Sequence, residues 1–276
     1  MVARFGLSPQ RSLGQHFLFD AGITDRIAGA AGDLTNCTVY EVGPGPGGLT
    51  RSLLAAGARE VVAVESDPRC VAALQELATA FPGRLRVIAG DALAFDEVAQ
   101  VPPATRVVAN LPYNISTVLL LRWLPIARHF ASFTLMFQRE VALRLVAAPG
   151  TGDYGRLSVM IQWAFEPRRL FDVAAGSFVP PPKVTSTVVQ LTPRQHPLAP
   201  AEHVDLEAVV AAAFGQRRKM LRTSLKSLGL DPADLLVPNG IDPMARGETL
   251  TVEQFCGLAR CLHAARRGIR PAATGP

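Results

Sequence analysis

Between Thr38 and Phe137 the chain alternates short apolar runs with stretches whose apolar residues recur at helical spacing, and this rhythm constrains the fold more than any other feature. Thr38–Gly43, Glu60–Glu65, Leu85–Ala89, Arg106–Leu111 and Phe133–Phe137 read as strands. Gly47–Ala56 and Pro68–Ala80 read as helices, the second with proline in its first turn, and Ser116 is placed to cap a third over Leu119–Ala127. Strands apolar along both faces belong to a parallel sheet covered on both sides. The order therefore predicts an α/β, doubly wound, mostly parallel sheet. Two further apolar runs, Ser158–Phe165 and Thr187–Leu191, predict an antiparallel closing pair at one edge.

Pro193, Pro197 and Pro200 mark a linker, and beyond it the pattern is helical over Leu206–Leu228 and Val252–Ala264. The expected division is a catalytic domain over 1–194 and a smaller helical domain over 195–276, with the Arg-, Gly- and Pro-rich tail from Arg266 frayed. Nearly half the chain is hydrophobic, so both can bury a core. A net charge of +5 favours nucleic acid as a partner. Cys37, Cys70, Cys256 and Cys261 form no C-x-x-C pair and have no histidine cluster beside them. The expectation is therefore no metal site, and buried free thiols in a reducing cytoplasm. The most apolar stretch, Val118–Ala127, is interrupted by Arg122 and Pro125 and is too short to span a bilayer. No leader segment is read near Phe5–Leu7, so the protein is expected to be cytoplasmic, off the membrane and monomeric.

Gly43-Pro44-Gly45-Pro46-Gly47-Gly48 follows the first of these strands and opens a helix, with Gly43, Gly45 and Gly48 at G-x-G-x-x-G spacing. Glu65, 22 residues beyond Gly43, ends the next strand, where a carboxylate can accept from both ribose hydroxyls. This much fits any nucleoside cofactor. A pyrophosphate, however, needs backbone N–H donors from the turn, and Pro44 and Pro46 have none. The loop thus suits a nucleoside cofactor without phosphates, such as S-adenosylmethionine. Asp91, after the third strand, is placed to contact its adenine.

Asn110-Leu111-Pro112-Tyr113 follows the fourth strand. An exocyclic amine conjugated to a purine is a weak nucleophile, and two acceptors aimed at its hydrogens draw the lone pair out of the ring. The Asn110 side-chain oxygen and the Leu111 carbonyl can be those acceptors. Pro112 fixes the turn, and Tyr113 offers a face on which a base can stack. The loop holds no lysine, histidine or aspartate to act as general base, so positioning and oriented dipoles are expected to carry the rate.

These residues resemble the KsgA family of ribosomal RNA adenine dimethyltransferases, over nearly the whole chain. Gly14-Gln15-His16-Phe17-Leu18, Glu41-Val42-Gly43-Pro44-Gly45 and Asn110–Thr117 match its motifs, as do Tyr154–Val159, Phe178–Ser186 and Gln216-Arg217-Arg218-Lys219. The resemblance implies a Rossmann-like S-adenosylmethionine-dependent methyltransferase fold with a smaller C-terminal helical domain. It implies dimethylation of two adjacent adenosines near the 3′ end of small-subunit ribosomal RNA, within a subunit or its precursor. It implies cofactor contacts at His16, Leu18, Gly43, Glu65, Asp91 and Asn110, and stacking of a flipped adenine between Tyr113 and Phe178. His16 stands where many members have asparagine, which would make cofactor binding depend on pH near neutrality.

On one continuous helix, Phe214, Leu221, Leu225 and Leu228 would form an apolar stripe, with Arg218, Lys219, Arg222 and Lys226 on an arc roughly 100° wide beside it. Such a face can dock on a core and present cations to RNA phosphates. Three other readings stay open: a resistance-type adenine dimethyltransferase acting on large-subunit RNA, a non-catalytic RNA-binding or assembly factor, and a dehydrogenase. The Tyr154–Val159 block and the Gln216–Lys219 segment favour the small-subunit enzyme. The intact Asn110 and Tyr113 oppose a non-catalytic factor, and the loop prolines oppose a dehydrogenase.

Overall fold

The computed structural model describes residues 15–216 and 218–268. The described residues form two compact units: those up to Ala142 with Pro167–Pro193, and Leu143–Glu166 with those from Arg194 onward. The expected break near 194 is therefore only part of the division, because an internal segment groups with the C-terminal residues. The expected frayed tail falls mostly outside the described residues.

The first unit opens with β1 (Phe17–Leu18) and α1 (Ala21–Ala30), whose first turn is capped by Asp20 accepting from the Ile23 N–H. Then β2 (Thr38–Val42), α2 (Gly48–Ala55), β3 (Glu60–Glu65), α3 (Pro68–Ala80) and β4 (Leu85–Ala89) alternate. After the short α4 (Glu97–Gln100) come β5 (Thr105–Asn110), α5 (Ser116–Arg122) and β6 (Phe130–Gln138). Ser116 is not the cap of α5: it is the first helical residue, and its hydroxyl donates back to the Tyr113 carbonyl at 3.1 Å.

Helix α6 (Arg139–Val146) leads from the first unit into the second, α7 (Arg156–Ala164) follows, and β7 (Phe165–Val173) leads back. β8 (Phe178–Val179) pairs antiparallel with β1, Leu18 opposite Phe178. β9 (Ser186–Pro193) runs antiparallel to β6. The main sheet has the order β4-β3-β2-β5-β6-β9-β7, with β4 through β6 parallel. The valines Val39, Val61, Val62, Val107 and Val108 are fully buried. Such side chains each contribute about 1.5–3 kcal/mol relative to exposure.

The expected strand over Ser158–Phe165 is a correction: the segment is helix α7, and the strand begins where the helix ends. Val159, Met160 and Ile161 are all buried, and an apolar run of that length carries no period to tell helix from strand. The helix is started by the Gly155 N–H donating to the Ser158 hydroxyl at 3.0 Å, while that hydroxyl donates to the Arg144 carbonyl at 2.6 Å. The proline linker lies along α7: the Leu198 N–H reaches the Trp163 carbonyl, and the Trp163 indole donates to the Ala199 carbonyl, both at 2.9 Å.

The rest of the second unit is α8 (His203–Gly215), α9 (Leu221–Ser224), α10 (Pro232–Leu236) and α11 (Val252–Arg266). The continuous helix expected over Leu206–Leu228 is also corrected. It stops at Gly215, restarts at Leu221 after an extended Met220, and tightens to a 3-10 turn over Leu225–Leu228. Glycine is a poor helix former, and here it lies at the exit of α8. Asp205 on α8 holds α11 through His263 at 2.7 Å and Arg266 at 2.6 Å.

Candidate active site

The chain passes from β2 outward to β3 and β4, then crosses to β5 on the other side of β2. The loops leaving β2 and β5 therefore diverge at their carboxyl ends, the place where open α/β sheets bind ligands. A cleft of about 880 Å³, counting its open mouth, lies there. It is lined by the 43–46 loop, Glu65, Asp91, Asn110, Leu111, Pro112 and Tyr113, and by His16 and Leu18 from the start of the chain.

The glycine loop uses left-handed backbone at Gly43 (φ 63°), Gly45 (φ 56°) and Gly47 (φ 86°), which other residues adopt at a cost. Its donors are already engaged. The Gly43 N–H goes to the Val64 carbonyl at 2.9 Å, that of Gly45 to Glu65 Oε2 at 2.9 Å, and that of Gly47 to the Pro44 carbonyl at 3.1 Å. Pro44 and Pro46 have none. From 43 to 47 no N–H is left for a phosphate, so the loop fits a nucleoside cofactor without one. Glu65 also accepts from the Asp67 N–H at 2.8 Å, which leaves lone pairs on both of its oxygens for hydroxyls. Burial raises its pKa above the ordinary carboxylate value, against the pull of the backbone donors.

Asp91 stands exposed at the mouth, its Oδ1 accepting from the Leu93 N–H at 2.9 Å. Asn110 ends β5, and its Nδ2 donates to the His16 carbonyl at 3.2 Å. That bond leaves Oδ1 as the end of the amide that can accept from a substrate. The Tyr113 ring lies 5.5 Å from the His16 ring, centroid to centroid. His16 Nδ1 in turn lies 2.8 Å from the Pro180 carbonyl. Gly14, the first residue of the N-terminal motif, lies outside the described residues.

Phe178 is not brought to the cleft. It is 1% exposed, sits in the core cluster with Leu18 and Met136, and does not line the cavity beside Tyr113. Arg218, Lys219, Arg222 and Lys226 are all exposed, as expected, but the helix break removes the single arc. Arg222 and Lys226, one turn apart, border the same shallow hollow. Arg217 lies outside the described residues.

Sequence reasoning missed Glu41 as a site residue. It lines the cleft at 1% exposure, accepts from the Thr50 hydroxyl at 2.7 Å, and burial pushes its carboxyl up to about 8. The signal was present: a carboxylate inside an otherwise apolar strand. Of the four cysteines, Cys70 and Cys256 are buried free thiols, whereas Cys37 and Cys261 are only half-buried, contrary to the expectation for all four.

A donor-depleted glycine loop and a buried acid at the end of the next strand, beside the switch point of a parallel sheet whose β6 is flanked by the antiparallel β9, define an S-adenosylmethionine-dependent methyltransferase. The chain belongs, within that class, to the ribosomal RNA adenine dimethylase family, whose model matches residues 6–264. Among curated relatives, the ribosomal RNA small subunit methyltransferase A of Rhodospirillum rubrum is 58% identical over 96% of this chain and 92% of its own length. The protein of the same name from Paramagnetospirillum magneticum is 59% identical over 96% and 94%. Among solved structures, a dimethyladenosine transferase from Plasmodium falciparum matches with a TM-score of 0.78 at 26% identity, covering 92% of this chain and 99% of that one. The 23S rRNA methyltransferase ErmE matches with a TM-score of 0.67 at 30% identity, covering 90% and 99%. No helix among the described residues is long and apolar enough to cross a membrane.

Proposed function

We propose that this protein transfers methyl groups from S-adenosylmethionine to the exocyclic amine of two adjacent adenosines near the 3′ end of small-subunit ribosomal RNA. The observation that carries the reading is the Asn110–Tyr113 loop on the rim of the donor-depleted cleft, with the Asn110 amide fixed by His16 so that Oδ1 can accept. Identity of 58–59% along nearly the full chain to proteins named for the small subunit favours that RNA over large-subunit RNA. The substrate is a subunit or its precursor, met in the cytoplasm by a monomer.

S-adenosylmethionine supplies an electrophilic methyl group on a sulfonium. Gly43 and Glu65 hold its nucleoside half, Asp91 meets its adenine, and His16, Leu18 and Asn110 border the remainder. Asn110 Oδ1 and the Leu111 carbonyl accept from the target amine, localising its lone pair. Pro112 holds the turn and Tyr113 stacks on the base. For Phe178 to stack as well, its ring must leave the core cluster when RNA binds. Arg218, Lys219, Arg222 and Lys226 contact RNA phosphates and fix its orientation.

The test is transfer of labelled methyl groups to small subunits that lack these modifications, with the product mapped by mass spectrometry. Dimethyladenosine in small-subunit RNA, lost with Asn110→Ala, is the expected result. Transfer to large-subunit RNA alone would identify a resistance-type enzyme. Cofactor binding without any transfer would leave an assembly factor. Glutamate at both 218 and 222 is expected to weaken RNA binding and flatten its salt dependence.

A further inference from the structure

We infer that Arg122, which does not line the cleft, is a positioning residue for the cofactor's adenine. The inference rests on the reading of the cleft as an S-adenosylmethionine site. Residues 90–96, between β4 and α4, form neither helix nor strand; short turns within the segment shape it, and bonds from outside anchor it. Arg122, the last residue of α5, supplies the side-chain anchor. Its Nη1 donates to the Ala92 carbonyl at 2.7 Å, and its Nη2 donates to the Phe95 carbonyl and to Glu97 Oε2, the latter at 2.6 Å.

Glu97 is 1% exposed, and its other oxygen accepts from the fully buried Trp123 indole at 2.8 Å. The guanidinium is thus held by a buried partner and reaches three acceptors at once, which a lysine ammonium cannot do in one plane. Ala92 lines the cleft next to Asp91. Within the same turn the Ala94 N–H returns to the Asp91 carbonyl at 3.0 Å. The clamp on Ala92 and Phe95 therefore fixes where Asp91 stands.

The same helix begins at the target-base loop. Ser116 Oγ donates to the Tyr113 carbonyl and the Ile115 N–H to that of Pro112, both at 3.1 Å. Helix α5 thus holds the adenine turn at one end and the catalytic loop at the other. Arg122 registers the two.

Calorimetric titration of the full-length protein with S-adenosylmethionine, without RNA, tests this. Arg122→Met is expected to bind roughly tenfold more weakly at unchanged stoichiometry, the loss of one or two hydrogen bonds to a site-forming turn. Arg122→Lys should recover little of the loss, and Glu97→Gln should share part of it. Asp91→Ala combined with Arg122→Met should bind about as weakly as the weaker single variant, because both remove one contact. Wild-type affinity at reduced stoichiometry in Arg122→Met or Arg122→Lys would mean a role in folding alone and would overturn the inference. So would independent, multiplying losses in the double variant. Failure of the wild-type protein to bind would overturn the cofactor reading itself.

Discussion

Tyr113 Oη lies 2.6 Å from Ser186 Oγ. The tyrosine belongs to the loop after β5 and the serine is the first residue of β9, fully buried. One bond therefore ties the Tyr113 ring, on the rim of the cleft, to the antiparallel strand of the sheet. Ser186→Ala frees the ring to turn. The expected outcome is a fall in kcat of roughly fivefold, about 1 kcal/mol, with the KM for S-adenosylmethionine unchanged. Tyr113→Phe removes the same bond, so the double variant should be no slower than the slower single one. Steady-state methyl transfer measures both. A multiplied loss would mean that the two hydroxyls act separately.

Glu41 predicts a dependence of stability on pH. The carboxyl titrates near 4.5 when unfolded and near about 8 when folded. Between those values the unfolded chain has released a proton that the folded chain keeps, so stability declines as pH rises through the window and levels off above it. Glu41→Gln keeps the neutral shape and removes the titration. The melting temperature of the wild-type protein relative to Glu41→Gln, without cofactor, should therefore fall as pH rises from 4.5 towards about 8. A constant difference would mean that Glu41 ionises normally.

Gly48 begins α2 beneath β1, and a Cβ built there would lie 2.4 Å from the Leu18 carbonyl oxygen. That neighbour is backbone and cannot rotate away. Gly48→Ala must push β1 off the helix, and overpacking of this kind costs typically about 1–3 kcal/mol. Since Leu18 and Gly48 both line the cleft, affinity for S-adenosylmethionine should fall with stability. Gly83→Ala serves as a contrast: nothing lies within 4 Å of its Cβ, and its cost is that of a positive φ alone. Thermal melts and cofactor titration of the two variants separate the effects.

Burial pushes the thiols of Cys70 and Cys256 up to about 12, whereas Cys37 and Cys261 are partly exposed. A thiol reagent at mildly alkaline pH should label Cys37 and Cys261 readily and the other two only on unfolding. Mass spectrometry of the labelled peptides checks the assignment. Rapid labelling of Cys70 in the native protein would mean that α3 opens at that residue.

The parallel half of the sheet was legible because its strands are apolar on both faces and are punctuated by the residues that make the site. Glu60–Glu65 and Leu85–Ala89 fall on the expected residues. Helix α7 was not legible, because a segment buried on every side shows no period and its start depends on a glycine N–H meeting the Ser158 hydroxyl. The break at Gly215 was hidden by an apolar spacing that continues across it through Leu221 and Leu225. At the site, Gly43, Glu65 and Asn110 could be read from spacing and strand position. The bond from Tyr113 to Ser186 could not, since Ser186, although it ends a segment that matches the family, lies 73 residues away and no spacing pairs the two.

β9 lies between β6 and β7 in the sheet, although β7 precedes it in the chain. Strand β7, at the sheet edge, therefore leaves the ribosome before β9, its one neighbour in the sheet among the described residues. Its backbone donors and acceptors must wait, solvated or loosely held, through the synthesis of about twenty further residues. The segment 143–166 is complete before the first unit can close, so the amino-terminal unit cannot finish folding ahead of everything that follows it. Synthesis from one end thus delivers an open sheet first, and its last strand enters as a wedge rather than as an addition to the rim.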